Sequence, residues 1–378
     1  MGNFVLDGRL SAPVRSVAVT KFYTSAAWIE GRAEDQLAQV AGWSGVREIA
    51  AFPDLHPGKY GPVGCAVSAD RIYPQLVGGD IGCGMSLFQL DLPERRFKPD
   101  KSARRMRVLG EAAGVDYNDR LLQAGLPRGL FADALGTIGG GNHFCEVQQV
   151  VECKAGYGLE VNSLYLLVHS GSRRLGNAVL TALPQGAFDG LDPAGEVGQN
   201  YLRDHDQAVK WASLNRRIIA ERAAAALRCD LQAVVDVPHN LLTPHDGGWL
   251  HRKGAAQAGV GLVPLAGSRA TPSYLLHPLG AVGALQSAAH GAGRRYDRSS
   301  MRGRVRAKRS DLTAMQQNAY GGRIICEDRD LLIEEAPHAY KSAKSVVADL
   351  VETGVVQNIA MLHPLLTFKK TRQKGGER

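Results

Sequence analysis

Short apolar runs rich in β-branched residues recur along the chain. Two of them, "VREIAAF" (46–52) and "LYLLVH" (164–169), read as buried strands. From Asp204 to Leu227 the period changes. Val209, Trp211, Ala212, Ile218, Ile219 and Ala223 fall near one face of a helical projection, which predicts a long amphipathic helix. A second helix is predicted over 339–354, "AYKSAKSVVADLVETG", ended by Gly354, with a final strand over 361–369, "MLHPLLTFK". Strands and helices do not alternate regularly. That pattern argues against a doubly wound parallel sheet and for an α+β fold, a single large mixed-sheet domain over residues 1–370. Residues 371–378 are expected to form a flexible basic tail.

Between the apolar runs lie loops that combine glycine with polar side chains. Six stand out: "DLHPGKYGPVG" (54–64), "VGGDIGCG" (77–84), "GTIGGGNHF" (136–144), "HSGSRRLG" (169–176), "LAGSRA" (265–270) and "HGAGRR" (290–295). A structural protein has little use for so many. An active site assembled from loop tips on a rigid scaffold has. In the second loop Asp80 and Cys83 stand three apart among glycines, and three explanations are open: a metal site, a nucleophile with its partner, or an accident.

Bulk properties narrow the class without choosing a function. The chain has 378 residues and 44% hydrophobic content, enough for a large core. No apolar stretch approaches the roughly 20 residues of a membrane span. The start "MGNFVLDGRLSAPVRS" has no signal-peptide pattern and does not complete a myristoylation motif, so a soluble cytoplasmic protein is expected. Six scattered cysteines form no CxxC pair, which leaves neither a zinc ribbon nor a disulfide framework. A net charge of +8 is compatible with a polyanionic partner.

Four histidines share one context, a strand-like run joined to a polar loop: His143 in "GNHF", His169 ending "LYLLVH", His239 in "VVDVPHN" and His290 in "SAAHGAGR". A lone histidine beside an apolar strand is more often a core residue. Four together, with Asp80 and Cys83, supply the Cys/His/Asp ligation used by zinc, manganese, iron or cobalt. One thiolate shared by two ions would let a single cysteine serve several histidines. Arg173 and Arg294 each follow a histidine by four residues in a glycine-rich turn, and "HRKG" adds Lys253; such turns and cations suit phosphate. No GxxxxGK[ST], GxGxxG or GxSxG motif is present. His290 is flanked only by alanine and glycine from 288 to 293, so its ring nitrogen is a candidate nucleophile toward phosphorus.

"DLHPGKYGPVG", "GGDIGCGM", "GTIGGGNHFCEVQ", "VHSGSRRLG", "HNLL", "HRKGA", "AHGAGRR" and "EAPHAYKSAKSVV" resemble, in order, the motifs of the RNA-splicing ligase RtcB family, from about residue 50 to 370. The resemblance implies the RtcB-type fold, with the active site built from glycine-rich loops. It also implies an enzyme that uses GTP and two manganese ions. Such an enzyme joins RNA ending in a 2',3'-cyclic phosphate or 3'-phosphate to RNA with a 5'-hydroxyl, through a covalent histidine–GMP and a guanylylated RNA 3'-end. Carried over by motif, Cys83 is the bridging thiolate, His143 and His169 complete one metal site, and Asp80 with His239 the other. His290 is the guanylylated residue and Asp54 an acid supporting it. Asn142, Arg173, Asn240, Lys253 and Arg294 match phosphate contacts, Glu146 matches the acid on the guanine edge, and Lys369 matches a lysine reaching the nucleotide.

Two departures from the family pattern stand out. Gly82 occupies a place where Asn is usual, and "AGSRATPSYL" replaces the usual "GSMGTxSY", which bears on the nucleotide role of Ser268. The Gly-Ser-Arg variant resembles a subgroup often encoded beside a peptide-chain release-factor homologue and associated with repair of cleaved ribosomal RNA. The alternative reading is an RNA-end-processing or RNA-binding protein on the same scaffold without ligation; a guanylylated histidine separates the two.

Overall fold

The computed structural model describes residues 17–111, 114–259, 261–305 and 308–371. The N-terminal reading above falls on residues 1–16, outside these ranges, as does the tail call from residue 372 onward. The first strands are β1 (Ala18–Lys21), β2 (Val46–His56), β3 (Val63–Ala69), β4 (Gly84–Leu90), β5 (Phe144–Cys153), β6 (Leu164–Ser170) and β7 (Leu231–Pro238). After them come β8 (Asn240–His245), β9 (Gly248–Lys253), β10 (Ala255–Gln257), β11 (Val263–Leu265) and β12 (Ser273–Pro278). The last are β13 (Ser287–Ala289), β14 (Arg323–Cys326) and β15 (Val356–Lys370).

They form a five-stranded sheet in the order β1-β2-β3-β9-β8, a β10–β13 ribbon, and an eight-stranded sheet in the order β11-β12-β15-β5-β6-β4-β7 with β14 beside β15. The β1–β2 and β14–β15 pairings are parallel and the others antiparallel, so the sheets are mixed, as the irregular order of elements predicts.

The predicted amphipathic helix is present and longer, Glu196–Leu227. It lies over β4, β6 and β7, burying Trp211, Ala212, Ile218, Ile219 and Ala223, with Val209 half-buried. Its first two turns bury little beyond Gly198 and Tyr201, which is why apolar spacing alone places the start too late. The second predicted helix begins four residues late, at Ala343, because the Ser342 hydroxyl caps it by accepting from the Ser345 amide. Tyr340 and Lys341 are thereby left outside the helix. The final strand starts earlier than predicted, at Val356, and tolerates Pro364 because its register with β5 shifts between Pro364 and Leu366.

The topology gathers the loops. In the antiparallel run β7-β4-β6-β5, the ends of β7 and β6 lie beside the starts of β4 and β5: Gly84 pairs with Pro238 and Ser170, and Phe144 with His169. Residues flanking those positions therefore converge at one edge, although they are scattered through the sequence. The step from β7 to β8 carries the chain from this sheet into the other, where Asn240 lies opposite Lys253.

Candidate active site

At that edge, Cys83 Sγ is 3.4 Å from His143 Nε2 and 3.3 Å from His169 Nε2. His169 Nε2 is in turn 3.3 Å from His239 Nε2, and His143 Nε2 is 2.9 Å from Asp80 Oδ2. Cys83, His143 and His169 each offer a ligand atom to one common point, and all three are buried. His143 Nδ1 lies 3.2 Å from the Ile138 carbonyl, which orients the ring so that Nε2 faces Asp80 and Cys83. The backbone amide of Arg173 donates to the Asp80 carboxylate. Gly171 makes that approach possible, since a Cβ there would run into Asp80.

Burial is the first influence on Cys83, His169, His239 and Asp80. It lifts the Cys83 thiol well above its ordinary range, with the nearby Asp80 charge adding to it. It drives the His169 and His239 imidazoles well below theirs, helped by the neighbouring histidines. Asp80 goes the other way: burial pulls it up, but His143 and the Arg173 amide outweigh burial, and the carboxyl ends below its usual range. The neutral imidazoles of His169 and His239, the His143 ring, an ionised carboxylate and a soft sulfur in mutual reach are donors a divalent ion can use, so these residues fit a metal centre. Asp80 touches His143, and His239 touches His169.

His290 follows β13 directly, and its ring lies 4.4 Å, centroid to centroid, from that of His239, tilted by 44°. Its Nδ1 is 2.8 Å from Asp54 Oδ2 and 2.6 Å from the Gly254 carbonyl oxygen, and its backbone amide donates to the same carboxylate. Both neighbours of Nδ1 are acceptors, so the proton resides there, and Nε2 is the nitrogen with a free pair. The small flanking residues do not leave the ring bare, as the sequence suggests; Asp54, fully buried, holds it in place. Lys341 in turn donates to the carbonyls of Pro53 and Leu55, on either side of Asp54.

Both groups open onto one cavity of about 240 Å³, whose lining also includes Asn142, Glu146, Asn240, Ser268, Arg294 and Lys369. Glu146 accepts from Gln148 and Thr367, and burial pushes its carboxyl up to about 7. Lys369 Nζ and Arg294 Nη1 both reach Glu335, at 3.8 and 3.1 Å. Asn240 Oδ1 accepts from the Gly254 amide, and Ser268 bonds to Thr271. Two expected phosphate contacts lie elsewhere. Lys253 is buried with Nζ on the Gln75 carbonyl, and burial lowers it to about 8. The Arg173 guanidinium donates to Thr137 and Ala134 and lines a separate groove with Gly139 and Gly140. His143 also departs from the shared strand-then-loop context, since it precedes β5 rather than following a strand.

Sequence reasoning missed three contributors. His56 lines the cavity with Nδ1 on the Asp54 carbonyl, its ring lowered to about 4 by burial. Glu335 gathers Arg294, Arg298, Lys369 and the Tyr340 hydroxyl on one buried carboxylate. Arg216, 1% exposed, pairs with Asp236 at 2.7 Å and donates to the carbonyls of Gly82 and Ser170, the residues next to Cys83 and His169. The signal for Arg216 was present: Asn215 and Arg216 interrupt the apolar stripe of the long helix on its buried side.

The model of the family described as tRNA-splicing ligase RtcB matches residues 36–122 and 128–370. The chain belongs to the RtcB family. It is 40% identical over 360 residues to the RNA-splicing ligase RtcB2 of Escherichia coli, covering 92% of this chain and 95% of the relative. Identity to the RNA-splicing ligase RtcB of Escherichia coli K12 is 30%, over 89% of this chain and 94% of the relative. To the tRNA-splicing ligase RtcB of Thermococcus kodakarensis it is 28%, over 89% and 90%. Within this RtcB-family chain, Gly82 has a local reason: at φ +71, a Cβ there would meet Val209 Cα at 2.8 Å, so the metal loop lies directly on the long helix. Arg269 of the variant loop is buried and donates to the Leu332 carbonyl at 2.9 Å and to that of Glu335, tying the loop to the segment that carries Glu335.

Proposed function

We propose that the protein is a GTP- and manganese-dependent RNA ligase that joins RNA 3'-phosphate or 2',3'-cyclic phosphate ends to 5'-hydroxyl ends. The observation that carries this reading is His290, whose Nδ1 is held by Asp54 and Gly254 so that Nε2 is free beside the Cys/His cluster. Nε2 attacks the α-phosphorus of GTP; a P–N bond forms, the P–O bond to the β-phosphate breaks, and pyrophosphate leaves. A 3'-phosphate oxygen of the RNA, after opening of a cyclic end by water, then takes GMP from the ring. The 5'-hydroxyl attacks that RNA phosphorus, releasing GMP and the hydroxyl proton. Asp54 holds the ring's other proton throughout and keeps its orientation.

Asp80, Cys83, His143, His169 and His239 would hold the metal ions, with Cys83 shared between two. When bound, such ions supply charge neutralisation at phosphoryl oxygens. Manganese suits a mixed nitrogen, oxygen and sulfur donor set that also meets phosphate. Glu146 would accept hydrogen bonds from the N1 and N2 edge of guanine, with Lys369, Asn142, Asn240, Ser268 and Arg294 around the rest of the nucleotide. Arg173 and Lys253, outside the cavity, would contribute through the loops they brace.

Incubation with labelled GTP and manganese tests the reading. An acid-labile, base-stable protein–GMP bond is expected in the wild type and absent in His290→Asn. That variant should still bind metal and seal RNA whose 3'-end is already guanylylated. Equal labelling of the variant and the wild type would refute the assignment. The non-ligating alternative predicts no protein–GMP in either.

A further inference from the structure

Half of the residues from 294 to 309 are arginine or lysine, against the single acid Asp297. Arg294 faces the cavity beside His290, and residues 295, 297–300 and 302–304 are exposed at the surface. Its cations are interleaved with rings. Lys341 Nζ and the Arg295 guanidinium each lie 5.6 Å from the ring of Trp28, which is 42% exposed. Arg295 also sits 5.5 Å from the Tyr296 ring, on which Arg304 lies at 4.0 Å. Arg295, Arg302 and Arg304 are exposed, and among the described residues neither Arg295 nor Arg304 has a carboxylate within ion-pair distance.

This track has a direct link to the chemistry. Lys341 is the residue that holds the carbonyls on both sides of Asp54, and Asp54 holds His290. Trp28 is thus one cation away from the strand that orients the nucleophile. The chemistry of the track suits a polyanion with flat, unpaired rings: cations follow the phosphates while the aromatic face takes a base.

The geometry points to a docking track for single-stranded RNA formed by Trp28, Arg295, Tyr296 and Arg304, with Lys341 beneath the ring tying it to Asp54 and Trp28 stacking an unpaired base. This rests on the ligase reading in that it takes RNA as substrate, but its test does not depend on ligation. The track would favour ends that are single-stranded near the break over blunt duplex.

The test uses the full chain and fluorescently labelled RNA, a single-stranded 3'-phosphate oligonucleotide and a blunt duplex, with binding followed by anisotropy across a salt series. Trp28→Ala is expected to weaken single-strand binding about tenfold, within the range for losing one stacked base. Trp28→Phe should restore most of it. Neutralising Arg295 and Arg304 together by Gln should lower the slope of log affinity against log salt by about 1.4, at roughly 0.7 per phosphate contact on a single strand. Protein–GMP formation should be unchanged in all three variants. Single-strand affinity within twofold of wild type in both Trp28→Ala and the double variant would overturn the track. Equal weakening of duplex and single strand by Trp28→Ala would overturn the stacking role. A wild type that binds RNA but never forms protein–GMP would instead refute the ligase reading and leave the track standing.

Discussion

Glu146 carries a cost that can be measured without any substrate. Its side chain is 3% exposed, and burial lifts its carboxyl from an ordinary 4.5 to about 7. Between those two values the folded chain binds a proton that the unfolded chain has lost, so stability falls as pH rises through this window and stays lower above it. At about 1.4 kcal/mol per tenfold change in proton affinity, the destabilisation at pH 8 amounts to about 3 kcal/mol. Glu146→Gln removes the titration while keeping an acceptor for Gln148; the Thr367 hydroxyl can rotate to meet the new amide. With an unfolding entropy of about 2.1 cal/mol/K per residue over 378 residues, 3 kcal/mol corresponds to about 4 °C in Tm. Thermal unfolding of the nucleotide-free protein should therefore show the variant gaining about 4 °C on the wild type between pH 4 and pH 8. The same variant should lose GTP-induced stabilisation, because a neutral amide cannot accept both donors of the guanine edge. Parallel pH profiles for the two proteins would show that the carboxyl is not held neutral by burial, and the reasoning would fail. If the profiles diverge but GTP stabilises both equally, the guanine role is wrong and the electrostatics right.

If one sulfur serves two metal ions, as proposed, Cys83→Ala should strip both together; elemental analysis showing two ions still bound would end the bridging assignment. Arg216→Met should cost about 2–3 kcal/mol, because it removes the ionic partner of Asp236, leaving that carboxylate with the Ser86 and Ser213 hydroxyls, and takes the Arg216 donors from the buried carbonyls of Gly82 and Ser170. It should also weaken metal binding, since those carbonyls belong to the loops of Cys83 and His169. A variant with wild-type Tm and metal content would show that the clamp is dispensable.

What the linear chain determines here is chemistry and period. The spacing of apolar residues is enough for the long helix, for the strands β2, β6 and β15, and for the mixed α+β class, because side-chain periodicity is a local property. The glycine-rich loops with Asp80, Cys83 and the four histidines are likewise legible, since few residue types bind metal or attack phosphorus. Partnership is another matter. That Asp54 holds His290 across 236 positions follows from two sheets meeting, and nothing local to either residue reports it. The same holds for the lining of the cavity: Lys253 and Arg173 share motifs with residues that reach it, yet β9 and the turn before Gly176 aim them elsewhere. Arg216 and Glu335 matter only because a helix and a loop bring one buried charge against several chain segments at once. Charge and hydrogen-bond satisfaction in an interior are settled by all neighbours together, and those neighbours are supplied by the tertiary fold.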